Sequence, residues 1–328
     1  MIQDVLLYIF LVVGIIYMIH LGLYAVGANI YDILQFKNKP VVKKRTSMPL
    51  VSVVIAAFNE ELSIKRCLDT VYKSNYPRLE IIVIDDGSKD QTYSIVYDYI
   101  KKNNYRSTTK GIWRAQSGAV QRTWHRGNVN KARTIKLLTK KNGGKSSALN
   151  MALKNGVKGT FVMTLDADSI LDKQAIRNAV SCFSDSTVVG VAANVRVMDS
   201  LSILGLLQKF EHMIGYRSKK FYAMTGSELI VGGVASTYRR SVLEKVNFYD
   251  TDTQTEDIGL SMKITALGNR QHRLVYEPQV LAMTQGVQTF GALVKQRYRW
   301  KLGNIQNLIK YSHMFKTTNT KHSRMMTF

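Results

Sequence analysis

A continuous apolar segment near the N-terminus, residues 5–26, restricts what this chain can fold into more than any other feature. It contains 22 residues, and none of them is Asp, Glu, Lys or Arg. About 20 apolar residues cross a bilayer as a single helix. We therefore predict a transmembrane anchor over residues 1–27, with a helix buried in a protein core as the alternative. A cleaved signal peptide would have a basic start and a shorter apolar core, whereas Asp4 precedes this segment.

The charges that flank the anchor predict its orientation. Basic residues follow the apolar segment in a juxtamembrane linker that we assign to residues 28–48: Lys37, Lys39, Lys43, Lys44 and Arg45. Because basic flanks stay on the cytoplasmic side, the N-terminus is expected outside and the rest of the chain inside. The sequence therefore predicts a single-pass protein of the plasma membrane with a cytoplasmic domain.

The whole chain is strongly basic, with 46 Lys+Arg against 23 Asp+Glu and a formal net charge of +23. Such a balance suits a polyanionic partner, either nucleic acid or anionic lipid headgroups. The anchor favours membrane lipids, and no nucleic-acid partner is expected. The two cysteines, Cys67 and Cys182, are far apart in the sequence, so they predict reduced thiols and no disulfide framework.

Residues 49–285 alternate between strand and helix patterns, as is typical of an α/β domain. Nearly continuous apolar runs predict strands covered on both faces at residues 50–57, 80–84, 134–138, 160–165, 188–197 and 274–283. Helical patterns occupy residues 61–72, 94–100, 146–154, 201–223, 256–267 and 290–311. We therefore predict a mostly parallel sheet flanked by helices. Residues 101–133 are polar and basic without clear periodicity, so an irregular insertion is expected there.

Three acidic clusters lie at the ends of strand signals: Asp85-Asp86, Asp166/Asp168 and Glu256-Asp257. In open α/β sheets, ligands bind beyond the carboxyl ends of the strands, so the clusters are expected to converge on one crevice. Each cluster taken alone also fits a turn or a helix cap. Asp166 and Asp168 are two residues apart in an extended segment, so their side chains point the same way and can share Mg²⁺ or Mn²⁺.

The stretch Gly143-Gly144-Lys145-Ser146 resembles part of a phosphate-binding loop. The full pattern, Gly-x-x-x-x-Gly-Lys-Ser/Thr, needs a glycine at the position of Thr139, so a nucleoside-triphosphatase is excluded. A glycine-rich turn that leads into a helix can still hold an anionic group at the helix N-terminus.

Taken together, six motifs resemble the family-2 glycosyltransferases, in particular the processive membrane synthases of cellulose, chitin, hyaluronan and poly-N-acetylglucosamine. The motifs are VSVVIAAFNE (51–60), DDGS (85–88), GKSSALN (144–150), DAD (166–168), TED (255–257) and QRYRW (296–300). The resemblance extends over residues 50–310, and GGVASTYRR (232–240) is similar to the poly-N-acetylglucosamine and hyaluronan branch. It implies a GT-A-type fold, a UDP-sugar donor and a polysaccharide acceptor.

The resemblance also implies roles for the residues of the donor site. Asp86, with help from Glu60, would contact the uridine of the UDP-sugar. Lys145 and Asp166 would hold the donor, and Asp168 would bind the divalent metal ion, Mg²⁺ or Mn²⁺.

A second group of residues would serve the acceptor. Asp257 would be the general base that accepts the proton of the attacking hydroxyl. Gln296, Arg299 and Trp300 would bind the acceptor end of the glycan and the donor pyrophosphate. The reaction would be a single displacement that inverts the anomeric centre and forms a β-linkage.

The C-terminal segment, residues 286–328, departs from the family pattern. Its QRYRW helix is basic and amphipathic, which fits either a helix in the membrane interface or a surface helix packed on the domain. Family synthases carry further membrane helices after this motif, whereas residues 312–328 are polar. A truncated form or an enzyme without its own channel is therefore expected, and a membrane subunit is a candidate partner.

Two other functions stay open at this point. One is transfer of a single sugar to a lipid or another membrane acceptor, although such relatives generally lack the QRYRW motif. The other is a basic, membrane-tethered protein that binds nucleic acid or anionic lipid, for which salt-dependent binding without hydrolysis of a UDP-sugar would be the sign.

Overall fold

The computed structural model describes residues 2–37, 48–102, 108–114, 121–130, 133–198, 201–226, 228, 230–267 and 272–316. The strands are β1 (Val51–Ala57), β2 (Leu79–Asp85), β3 (Thr108–Arg114), β4 (Gln121–Asn130), β5 (Arg133–Thr139), β6 (Phe161–Asp166), β7 (Ile170–Leu171), β8 (Val188–Val197), β9 (Ser236–Arg239) and β10 (Arg273–Thr284). The α-helices are α1 (Ile2–Lys37), α2 (Ile64–Tyr72), α3 (Thr92–Lys102), α4 (Lys145–Asn155), α5 (Ala175–Cys182), α6 (Ile203–Thr225), α7 (Arg240–Lys245), α8 (Glu256–Ala266) and α9 (Phe290–Lys310), and a 3₁₀ helix spans Ser312–Lys316.

One mixed sheet carries all ten described strands in the order β3-β4-β5-β2-β1-β6-β9-β8-β10-β7. The four central strands, β5-β2-β1-β6, are parallel, with Val51 opposite Leu79 on one side and Phe161 on the other. Strand β9 runs antiparallel to both β6 and β8. The predicted parallel α/β arrangement is thus confirmed for the centre of the sheet, while the outer strands make the sheet mixed.

Burial on both faces explains why the central strands read as continuous apolar runs. Val53 and Ile55 of β1 belong to a core that includes α2, α3 and α5, whereas Val54 between them faces a second core with α4, α7 and α8. All seven residues of β2 are buried. Because successive side chains of a strand point to opposite faces, a strand covered on both sides needs apolar residues at nearly every position.

Where the structure describes residues 101–133 they form regular elements, so the expectation of an irregular insertion is wrong for these parts. Helix α3 extends to Lys102, and β3 and β4 form an antiparallel pair in which Thr108 lies opposite Gly127. Strand β4 then pairs with β5, so the insertion widens the sheet. Main-chain hydrogen bonds hold these strands in the sheet. Such bonds leave no pattern of apolar and polar residues from which the strands could be predicted.

Helix α1 is longer than the predicted anchor, which ended at residue 27. Its 36 residues correspond to a length of about 54 Å at 1.5 Å per residue, more than the roughly 30 Å of a bilayer core. Residues Gln3–Leu34 are long and apolar enough to cross a membrane, and the most apolar stretch of this helix is not buried at all. The first part of the predicted linker is therefore helical, and residues 38–47 lie outside the described part of the chain.

The second half of α1 packs on α6. Gly27 faces Phe221 so closely that an added Cβ would lie 2.4 Å from the ring. The hydroxyl groups of Tyr24 and Tyr222 are 2.6 Å apart. Lys220, which is buried, donates to both carboxylate oxygens of Asp32 at 2.6 Å. The end of the anchor helix is thus docked on the folded domain.

The Asp32–Lys220 pair predicts a double-mutant effect. Asp32→Asn should lower the free energy of unfolding in detergent by about 1 kcal/mol, because it leaves the buried ammonium of Lys220 without its carboxylate, and the half-exposed position of Asp32 limits the cost. Lys220→Met in the same background should recover most of the loss, since both charges are then gone. An Asp32→Asn variant as stable as the parent would contradict this account.

Candidate active site

A cavity of about 800 Å³ opens where two of the three predicted acidic clusters, Asp166/Asp168 and Glu256-Asp257, meet, whereas Asp85-Asp86 does not line it. Its floor includes the end of β6 and the second half of β8, and the start of α4 and the start of α8 form its sides. Helices α6 and α9 contribute the remaining walls. The cavity therefore lies at the carboxyl end of the central strands, where the topology of an open α/β sheet places ligands.

Most of the predicted site residues line this cavity. They are Lys145, Asp166, Asp168, Asp257, Gln296, Arg299 and Trp300. They come from four sequence motifs separated by up to 155 positions, and only the fold brings them together.

Lys145 is the cationic centre of the cavity. It is the first residue of α4, and its Nζ lies 2.6 Å from Asp166 Oδ1 and 3.1 Å from Glu256 Oε1. These carboxylates and Asp257 raise the pKa of Lys145 against the opposing effect of burial, so the side chain stays charged. One ammonium group thus links the end of β6 to the start of α8.

The turn before Lys145 is held from below by Asp86. The N–H groups of Gly143 and Gly144 donate to its carboxylate, the latter at 2.8 Å, and Lys140 Nζ donates at 2.6 Å. Gly144 has φ +83°, a backbone conformation that residues other than glycine rarely adopt. In this structure the buried Asp86 shapes the glycine turn and is not among the residues that line the cavity.

Asp166 and Asp168 both face the cavity, as their i, i+2 spacing predicted. Asp168 accepts hydrogen bonds from Ser169 Oγ at 3.0 Å and from Thr284 Oγ1 at 3.3 Å. Burial, and then the charge of Asp166, raise the pKa of the Asp168 carboxyl. Glu60 lies outside the cavity lining. Burial raises the pKa of its carboxyl, and the nearby charges of Asp168 and Asp166 raise it further.

The predicted base, Asp257, lies in the first turn of α8. The N–H of Ile258 donates to its Oδ1 at 2.9 Å. Burial raises the pKa of Asp257 above the ordinary aspartate value of 3.8, the neighbouring Glu256 raises it further, and Lys145 opposes both effects. A carboxylate with a raised pKa and an orienting hydrogen bond is suited to accept a proton.

The QRYRW motif lies on α9 and is tied to α6. Arg297 binds Glu211 of α6 with two nitrogens, Nε at 3.0 Å from Oε1 and Nη2 at 2.5 Å from Oε2. The same guanidinium lies 4.1 Å from the ring centroid of Trp300 and donates to Gln296 Oε1 at 2.6 Å. Arg297 therefore orients two of the residues predicted to bind the acceptor.

Comparison with protein families decides the class of this chain. A model of glycosyltransferase-like family 2 matches residues 126–303, more than half of the chain, and a second model of glycosyl transferase family 2 matches residues 52–121. The chain belongs to glycosyltransferase family 2.

Two relatives are similar to this chain over most of its length. It is 29% identical over 303 residues to a poly-β-1,6-N-acetyl-D-glucosamine synthase of Staphylococcus epidermidis, covering 90% of this chain and 65% of the relative. A synthase of the same name from Staphylococcus aureus is 28% identical over 313 residues, with 93% and 67% covered. This glycosyltransferase thus spans about two thirds of the length of these relatives.

A solved structure supports the GT-A-type fold. A mannosyltransferase of Pyrobaculum calidifontis in complex with GDP-Man and Mn²⁺ superposes with a TM-score of 0.61 at 23% identity, covering 89% of this chain and 74% of that one. At this identity the likeness shows the fold alone.

The structure also adds residues to the site of this glycosyltransferase that the motifs did not single out. Arg297 occupies a variable position of Gln-x-x-Arg-Trp, and its partner Glu211 lies 86 positions away. Gln208 of α6 accepts from Val287 N and donates to Val287 O, both at 3.0 Å, which fixes the segment before α9. No sequence signal pairs these residues, because their contacts depend on how α6 crosses the cavity.

The raised pKa of Asp257 predicts a pH effect. A general base must be deprotonated, so the rate should fall as the pH drops through its pKa, and this acid limb should lie above the ordinary value of 3.8. Glu256→Gln should move the limb to lower pH, because it removes one charge that raises the Asp257 pKa. The measurement is kcat/KM for sugar transfer against pH.

Glu244→Gln is the matched control, since that carboxylate is exposed and does not line the cavity. An acid limb that stays in place in Glu256→Gln, or moves to higher pH, would contradict the assignment.

Proposed function

We propose that this family-2 enzyme is an inverting transferase that moves a sugar from a UDP-sugar to a hydroxyl of a growing β-linked polysaccharide. N-acetylglucosamine is the proposed sugar, because the relatives reported above are named for poly-β-1,6-N-acetyl-D-glucosamine synthesis. The observation that carries the proposal is the shared cavity, in which Asp166, Lys145 and Asp257 face the QRYRW helix.

The proposed chemistry assigns one task to each part of the cavity. Asp257 accepts the proton of the acceptor hydroxyl, whose oxygen then attacks the anomeric carbon of the donor. The bond from that carbon to the diphosphate oxygen breaks, and UDP leaves with the electron pair. Attack opposite the leaving group inverts the anomeric centre. Lys145 and Arg299 are cations that stabilise the charge that develops on the diphosphate.

Trp300 is the proposed platform for the acceptor sugar. The residue is 37% exposed and lines the cavity, while Arg297 covers one face of its ring. A sugar can stack on the remaining aromatic surface, and Gln296 beside it can hydrogen-bond sugar hydroxyls. These features favour a carbohydrate acceptor over a bare lipid phosphate, and they favour an enzyme over a basic binding protein.

A divalent cation fits the acidic end of the cavity. Asp166 and Asp168 supply hard oxygen ligands of the kind that Mg²⁺ and Mn²⁺ prefer. Within the described residues no group of three or more His, Cys, Asp or Glu side chains could hold a metal ion by itself, so oxygens of the donor would complete its coordination. When bound, such an ion neutralises charge on the diphosphate.

The membrane is the second proposed partner. Beyond α1, exposed apolar side chains line the first half of α6 and one stripe of α9: Ile203, Leu206, Leu207, Phe210, Met213, Phe290, Val294, Tyr298, Ile305 and Ile309. Because α6 also holds the end of α1, we propose that both stripes rest on the cytoplasmic surface of the bilayer. In this arrangement α9 fits both descriptions that its sequence allowed. Its apolar stripe lies in the membrane interface, and its other face packs on the domain at α8.

The proposed activity predicts metal-dependent release of UDP. Membranes containing the protein, supplied with UDP-N-acetylglucosamine, a β-linked oligosaccharide and Mg²⁺ or Mn²⁺, should release UDP, and EDTA should abolish the release. Asp257→Asn should lower kcat by about 10²–10⁴-fold through loss of the base. Asp98→Asn on α3, an exposed site outside the cavity, should match the parent.

Parallel reactions with UDP-glucose and UDP-glucuronate decide the sugar. Turnover with a lipid acceptor but not with an oligosaccharide would indicate single-sugar transfer and refute polysaccharide synthesis. Salt-dependent lipid or nucleic-acid binding without any UDP release would refute the enzyme proposal.

The proposed orientation predicts which side of the membrane each end of α1 faces. With Cys67→Ser and Cys182→Ser as background, a membrane-impermeant maleimide should label Gln3→Cys in intact cells. Glu244→Cys, at an exposed position of the domain, should be labelled only in inverted vesicles or after lysis. The reverse pattern would overturn the cytoplasmic placement of the active site.

A further inference from the structure

Helix α9 meets the start of α8 at Gly303 and Asn307. Its C-terminal end is held separately by Leu308, which packs on the cluster around Met262, and by Lys310, which pairs with Asp252. Within α9, all of whose residues the structure describes, the buried residues are Gly303 and Asn307. Its apolar side chains at Phe290, Ile305 and Ile309 are instead exposed. Between the Arg297–Glu211 pair and the end of the helix, the position of α9 over the cavity therefore depends on what Gly303 and Asn307 contact.

Asn307 connects α9 to Thr255, the residue just before α8. Its Nδ2 donates to the Thr255 carbonyl oxygen at 2.9 Å, to Thr255 Oγ1 at 3.2 Å and to the Gly303 carbonyl oxygen at 2.9 Å. Thr255 occupies the N-cap position of α8, yet its side chain makes no capping hydrogen bond. The hydroxyl that would ordinarily cap α8 thus serves the contact with α9.

Two glycines make this contact close. A Cβ on Gly303 would lie 2.3 Å from Thr255 Oγ1 and 2.7 Å from its Cγ2. A Cβ on Gly259, one turn into α8, would lie 2.7 Å from Asn307 Oδ1. Each helix therefore presents a glycine to a side chain of the other segment, and neither can move closer or rotate freely.

The contact joins two parts of the proposed reaction. Asp257 follows Thr255 by two residues, and Trp300 lies three and seven residues before Gly303 and Asn307, on the same face of α9. Helix α8 has an independent anchor, since Leu260 and Ile264 lie in the core of the domain. Loss of the contact would consequently let the middle of α9, with Trp300, shift between its remaining attachments and leave α8 in place.

We propose that Asn307 is a positioning residue that fixes the acceptor platform at Trp300 relative to the base Asp257. The clasp made by Asn307, Gly303, Thr255 and Gly259 sets this separation, while the donor is held by α4 and β6 on the far side of the cavity. The inference rests on the proposed function. The proposal predicts different effects on the two possible acceptors, because a water molecule needs no platform and an acceptor sugar does.

The test compares transfer with hydrolysis of the same UDP-sugar. Asn307→Ala should lower the rate of transfer to an oligosaccharide by about 10–100-fold, as expected for a displaced reactant, and leave the donor KM and donor hydrolysis within about threefold of the parent. Gly303→Ala places a methyl group against Thr255 in the same contact and should give the same pattern. Because both act on one contact, the double variant should lose much less than the product of the single losses.

Asn304→Ala is the matched control: it is the same change on the same helix, three residues away, at a residue outside both the clasp and the cavity lining. It should keep the parental ratio of transfer to hydrolysis. Thr255→Val, which removes the hydroxyl but keeps the shape and the carbonyl acceptor, should give a smaller loss than Asn307→Ala. This variant covers the case in which Asn307→Ala does not fold.

Equal falls in transfer and hydrolysis would overturn the proposal, because a lower content of folded enzyme lowers both. Weaker quenching of Trp fluorescence by the oligosaccharide in Asn307→Ala supports it without any turnover, and unchanged quenching overturns it. A parent protein that binds the oligosaccharide but releases no UDP would refute the proposed function instead.

Discussion

The ammonium group of Lys145 makes the rest of the cavity feasible. Four carboxylates, from Asp166, Asp168, Glu256 and Asp257, line one partly buried space, and like charges in such a space repel each other strongly. Lys145 contacts two of them directly and lowers the pKa of a third, Asp257. Its placement depends on the glycine turn that Asp86 holds, so a single buried aspartate supports the charge balance of the whole site.

Helix α6 joins the apolar helix α1 to this site. One of its ends binds α1 through Lys220 and Phe221, and its middle reaches the cavity through Gln208 and Glu211. Because α1 continues as one helix and docks on α6, its apolar segment is fixed relative to the cavity. Under the proposed membrane placement, this contact sets the height of the cavity above the bilayer surface.

Helix α9 contributes the proposed platform, and two polar contacts orient it over the cavity. Arg297 ties it to α6, and Asn307 ties it to the start of α8. Both contacts are polar and directional, which fixes orientation more narrowly than apolar packing does. The apolar stripe of α9 stays exposed as a result. This division suits the proposed double role of α9 at the cavity and at the membrane surface.

The local sequence determined the elements that depend on local chemistry. Residues 5–26 are apolar enough to specify the anchor helix, and the two-sided burial of β1 and β2 leaves continuous apolar runs that identify the central strands. The acidic motifs, Lys145 and QRYRW identified the family, because their chemistry requires particular residue types at fixed spacing. Most of the site residues predicted from these motifs line the cavity.

The tertiary structure decided what depends on distant partners. Main-chain hydrogen bonds hold β4 to β5 and β3 to β4, and such bonds have no side-chain signature. The Glu211–Arg297 pair and the Asn307–Thr255 contact join residues 86 and 52 positions apart, so neither follows from spacing. A sequence specifies which groups can bond, whereas the crossing of α6, α8 and α9 decides which of them meet.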